Sequence, residues 1–90
     1  MKAKIRGKVW TIKRSRLVSA RGLCDHPEEP GRTIRVASSL KDCEELEVML
    51  HEMLHAALWD LDESVVETVA DDLAQALWRL GYRKQTKGKA

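Results

Sequence analysis

No stretch of this sequence is apolar for long enough to cross a bilayer. The opening residues, Met1-Lys2-Ala3-Lys4-Ile5-Arg6, are basic, but the apolar core of a secretory signal does not follow them. These two absences set the expectation of a soluble, cytoplasmic protein with no membrane partner. Cysteine is scarce: Cys24 and Cys43 are the only two. They lack C-x-x-C spacing, which excludes a zinc knuckle or a dithiol redox pair and suits a reducing compartment. No internal repeat is present. Acidic residues are missing from both ends, with none before Asp25 and none after Asp72.

The basic ends follow from that last absence. Lys2, Lys4, Arg6, Lys8, Lys13, Arg14, Arg16 and Arg21 fill the first part, and Arg79, Arg83, Lys84, Lys87 and Lys89 close the chain. Such ends suit nucleic acid or an acidic surface. No nucleic-acid-binding motif accompanies them, and a solvated strand face is the simpler account.

Ninety residues make one domain near the small end for a self-sufficient core. It is expected over 1–83, with 84–90 a flexible basic tail. Charged residues make up 33% of the chain, so most element faces must be wet. A bound metal would help so small a chain hold its shape.

Alternation over Val9–Val18 predicts a strand, with Trp10 and Ile12 inward and Thr11, Lys13 and Arg16 outward. Gly22 to Gly31, which holds Pro27 and Pro30, reads as loop. Thr33–Ala37 predicts a second strand. A helix follows, capped by Ser39 or Asp42, with an apolar stripe of Leu46, Leu50, Leu54, Ala57 and Leu58. A turn near Trp59–Ser64 leads to a helix from about Glu63 to Leu80, with Asp62 a candidate cap. Its stripe is Val66, Val69, Leu73, Leu77 and Leu80, and Gly81 is a natural stop. The expected fold is α+β: a small antiparallel or mixed sheet packed on a two-helix hairpin.

The chemistry centres on His51-Glu52-Met53-Leu54-His55. Histidines four apart on a helix share a face, where both can reach one ion. Glu52 hangs beside that ion, within reach of a water on it. Catalytic zinc sites take three protein ligands and keep one open position. An antiparallel hairpin turning about Leu61 sets Glu67 level with His55 and Asp71 level with His51. Glu67 is therefore the expected third ligand, and Glu63, nearer the turn, the second choice. Asp71 is expected to accept the other ring N–H of His51 and so orient it. Two imidazoles and one carboxylate suit a single zinc ion.

This pattern, His51-Glu52-x-x-His55 followed by Glu67-x-x-x-Asp71, resembles the gluzincin metallopeptidases. It looks most like their minimal phage and bacterial members, related to the ImmA-like and SprT-like peptidase domains. The resemblance spans about Gly22 to Leu80. It implies a zincin-like fold, a peptide or protein substrate, zinc on the two histidines and the downstream Glu, and Glu52 as general base. It also implies that the strand before the motif helix, Thr33–Ala37, lines the cleft, where an edge strand can pair with an extended peptide. Larger gluzincins carry a His or Tyr that stabilises the oxyanion, on a subdomain that this chain lacks. His26 is the candidate here, and Tyr82 lies too far along its helix.

The expected activity is thus peptide hydrolysis by a zinc-bound water, with Glu52 taking its proton. Two rivals keep less of this chemistry. One is a non-catalytic zinc-stabilised module that binds a peptide, a regulator or DNA. The other is a metal-free helical-hairpin interaction protein.

Overall fold

A two-residue turn at Arg6 and Gly7, both with positive φ (50° and 82°), folds the first strand back on the second. That is the turn geometry whose twist matches a hairpin. It joins β1 (Lys2–Ile5) to β2 (Lys8–Ser15) in a computed structural model that describes residues 1–85. Next come β3 (Gly22–Cys24), β4 (Thr33–Ala37), α1 (Asp42–Ala57) and α2 (Glu63–Arg79). The strands form one sheet in the order β1-β2-β4-β3, with β2 and β4 parallel and the other two pairs antiparallel. The fold is α+β, as expected, and the sheet is mixed.

Two strands were not expected. β1 lies in the basic start, and β3 lies in the stretch read as loop. Both are short, and both owe their form to pairing with a longer neighbour rather than to their own alternation. β3 also moves Thr33–Ala37 off the edge: β4 runs between β2 and β3, and β3 is the edge strand on that side.

One face of the sheet is apolar. Ile5, Trp10, Ile12, Ile34 and Val36 are buried there, and α1 lies across them. α2 packs on α1 and not on the sheet, so α1 is the middle layer. The expected stripe on α1 is only half-buried at Leu46, Leu50 and Leu54, while Glu45, Val48, Glu52 and Ala56 are the buried residues. On α2 the buried line is Val66, Ala70 and Ala74, with Leu73 and Leu80 exposed. Small side chains let the two helix backbones approach: the Cys43 Sγ lies 3.9 Å from the Ala74 carbonyl oxygen.

Neither expected α1 cap serves. Lys41 is the N-cap, without a side-chain hydrogen bond to the helix end. Asp62 does stand at the N-cap of α2, but its carboxylate accepts from the Ser64 hydroxyl at 2.6 Å instead of from a backbone N–H. Gly81, at φ 94°, ends α2 as expected. The N–H groups of Gly81 and Tyr82 return to the carbonyls of Trp78 and Leu77, both at 3.0 Å.

Beyond that stop, Lys84 reaches back to the buried Glu45, with Nζ 2.9 Å from Oε1. Arg14 of β2 meets the same carboxylate at 3.1 Å. Of the tail expected over 84–90, residues 86–90 lie outside the described residues.

Candidate metal centre

Helical spacing sets the centre. One turn apart on α1, His51 and His55 turn their Nε2 atoms to each other at 3.2 Å. Glu63, the first residue of α2, closes the group. Its Oε2 lies 3.1 Å from His51 Nε2 and its Oε1 2.8 Å from His55 Nε2. Glu52, one residue on from His51, is turned toward the sheet and is only 7% exposed. Burial pushes its carboxyl pKa up; His51 and His55 pull it down, and Glu63 adds to the rise.

With Glu63 a carboxylate, no placement of protons makes all three contacts attractive. A neutral imidazole nitrogen either donates or accepts. If both Nε2 atoms carry hydrogen, each donates to Glu63, but the two N–H groups oppose one another. If one is bare, it accepts from the other histidine and then faces the carboxylate lone pair to lone pair. A cation among these atoms satisfies every contact at once. The 3.2 Å between the two Nε2 atoms also matches the ligand-to-ligand edge of about 3.3 Å that a tetrahedral ion with bonds of about 2.0–2.1 Å gives. His51, His55 and Glu63 are the group of potential ligands that converge among the described residues.

Comparison with protein-family models, curated proteins and solved structures finds no match. The centre stands on its own geometry.

The expected third ligand, Glu67, is not part of this group, and Glu63 stands where it was expected. α1 ends at Ala57 and α2 begins at Glu63, so the chain reverses earlier than a turn about Leu61 would require. The connection is centred on Asp60, one residue before Leu61, which shifts α2 by about two residues, half a helical turn. Facing matters as well. At about 100° per residue, Glu63 lies within about 20° of the line through Val66, Ala70 and Ala74, Glu67 about 60° away and Asp71 about 100° away. Glu67 and Asp71 are accordingly exposed, and no hydrogen bond joins Asp71 to His51.

The centre opens into a cleft of about 490 Å³, lined also by Gly22, Leu23, Cys24 and Trp59. None of these four was read as a site residue. Gly22 is needed where β3 crosses α1: a Cβ there would sit 2.7 Å from the Glu52 Oε2 and 2.8 Å from a Val48 methyl. Gly22→Ala is expected to lower stability by about 1–3 kcal/mol through overpacking and to displace the Glu52 carboxylate. Urea unfolding measures the first effect; an unchanged midpoint would mean that β3 has room to move. The Cys24 thiol is pushed up to about 12 by burial, with the charges of Glu52 and Asp25 adding to it. It is therefore a neutral wall of the cleft rather than a thiolate.

His26, the candidate oxyanion donor, is exposed and outside the cleft lining. Its ring stands edge-on to Trp59 at 4.8 Å, and its Nδ1 accepts the Glu28 backbone N–H at 3.0 Å. That leaves hydrogen on Nε2 in the neutral ring. Trp59 in turn stands 6.3 Å from the ring of His55. Arg32 is committed to the carbonyls of Val9 and Pro27.

Proposed function

We propose that this protein is a zinc-dependent peptidase in which His51, His55 and Glu63 hold the ion and Glu52 is the general base. The observation that carries this reading is the convergence of three ligand atoms beside a buried carboxylate at an open cleft. Zinc bound there would polarise a carbonyl and lower the pKa of a water. Glu52 would take a proton and hand it to the leaving amine. Its burial favours the protonated form, which suits the second of those transfers.

The substrate class follows from β3. Antiparallel pairing commits alternate residues to the neighbouring strand. Asp25 N–H bonds the Thr33 carbonyl, and Arg21 C=O accepts from Ala37 N–H. By that alternation the backbone groups of Gly22 and Cys24 point to the open edge, beside the cleft. An extended peptide added there would run past Glu52.

One observation favours the non-catalytic zinc module instead. Among the described cleft-lining residues, no Arg, Lys or Tyr is present to meet an oxyanion.

Protein purified without added metal is expected to carry one zinc per chain by elemental analysis. Zinc at about 100 times its Kd should raise Tm by about 10–20 °C over the chelated form, from about 2.7 kcal/mol of linkage. A quenched-peptide library should then be cut by the zinc form alone. Zinc without turnover would select the non-catalytic module. No zinc and no thermal shift would leave the metal-free reading.

A further inference from the structure

The helices cover one face of the sheet, and the other face is cationic. All 14 acidic residues lie outside the strands, in the loops and helices. Six basic residues lie within the strands, and they divide by face. Lys8 and Arg14 point to the helical side, where each has a carboxylate: Glu28 at 3.0 Å and Glu45 at 3.1 Å. Lys2, Lys4, Lys13 and Arg35 point the other way, and none of them forms an ion pair among the described residues.

Pairing gathers those four charges. Lys2 and Lys4 lie two residues apart on β1, so both side chains leave the same face. Thr11 of β2 is the register partner of Lys2 and accepts from its Nζ at 3.1 Å. Lys13 of β2 and Arg35 of β4 are register partners on adjacent strands. Like charges opposite one another destabilise a sheet, and here no ion pair among the described residues relieves them. From β1 to β4 the patch is about 10 Å wide, two strand spacings.

We propose that this outer sheet face binds the phosphate backbone of duplex nucleic acid through Lys2, Lys4, Lys13 and Arg35. Charge complementarity selects the ligand: four cations on one face, none of them ion-paired among the described residues and with no acidic residue in any strand, make an electrostatic footprint for a polyanion. The absence of aromatic residues from this face selects the duplex. Single strands are gripped by stacking their bases on aromatic rings, and the outward apolar residues here are Val9 and Leu23. Binding is to backbone and so independent of sequence. The residues of the metal centre lie on α1 and α2, on the helical side of the sheet, so a bound duplex leaves them open.

The test is fluorescence anisotropy with a labelled 20-base-pair duplex of arbitrary sequence. Four phosphate contacts give a slope of about −3.6 for log K against log salt, about 150-fold weaker binding at 200 mM than at 50 mM. Each of Lys2→Gln, Lys4→Gln, Lys13→Gln and Arg35→Gln should make the slope shallower by about 0.9. The quadruple variant should lose binding without a fall in melting temperature, since Lys2, Lys4 and Lys13 are exposed, Arg35 is half-buried, and none of the four is ion-paired among the described residues. Lys41→Gln with Arg79→Gln, which removes exposed cations of the helical layer, should leave binding unchanged. Wild-type-like binding by the quadruple variant would overturn the proposal. So would retention on phosphatidylserine vesicles without binding to the duplex, which would assign the face to a membrane surface.

Discussion

Glu52→Gln is expected to slow peptide hydrolysis by about a hundred- to ten-thousand-fold, the usual worth of a general base, and to leave zinc content unchanged. The change is nearly isosteric, and it removes the buried carboxylate proposed to take a proton and pass it on. Glu52 lies outside the converging ligand atoms of His51, His55 and Glu63, so the ion should remain. Its place against Gly22 should also be kept, because glutamine fills the same space. The measurement is kcat on a quenched peptide with zinc stoichiometry determined on the same sample. Undiminished turnover would remove Glu52 from the mechanism. Loss of zinc would make it a ligand.

The second large effect separates two glutamates one turn apart. Glu63→Gln is expected to weaken zinc binding by more than the about 10–100-fold that losing a partner outside the ligand set costs. Glu67→Gln should leave affinity unchanged, because Glu67 is exposed and outside the group. Asp71→Asn should likewise be silent. Competition against a chromophoric chelator reads all three. The opposite ranking, with Glu67→Gln weakening zinc binding and Glu63→Gln silent, would return the third ligand to the position that a turn about Leu61 implied.

That contrast shows how far local spacing carries. His51, Glu52 and His55 belong to one helix, and the helical repeat alone puts two imidazoles on a shared face with Glu52 beside them. Such a relation survives any error in the rest of the fold. The partner glutamate does not, because it depends on where the chain reverses and on which face of α2 meets α1. The expected stripe of Val66, Val69, Leu73, Leu77 and Leu80 shares only Val66 with the line that packs, Val66, Ala70 and Ala74. Two helices approach closely over small side chains, and Glu63 lies on that line.

The sheet divides in the same way. Alternation identified β2 and β4 and the inward places of Trp10 and Ile12, because burial on one face imposes a period of two. β1 and β3, at four and three residues, carry too little alternation to announce themselves. Strand order is non-local by nature. It is pairing that makes β3 the edge beside Glu52 and puts β4 inside the sheet.

The amino-acid sequence by itself determined the α+β class, the His51-Glu52-x-x-His55 constellation and the separation of basic from acidic segments. Each is a matter of local periodicity or composition. Only the tertiary structure decided that Glu63 completes the group, that β3 borders the cleft, and that four cations without an ion pair among the described residues share one sheet face. These depend on helix crossing and strand register, which are set by packing between residues far apart in the chain.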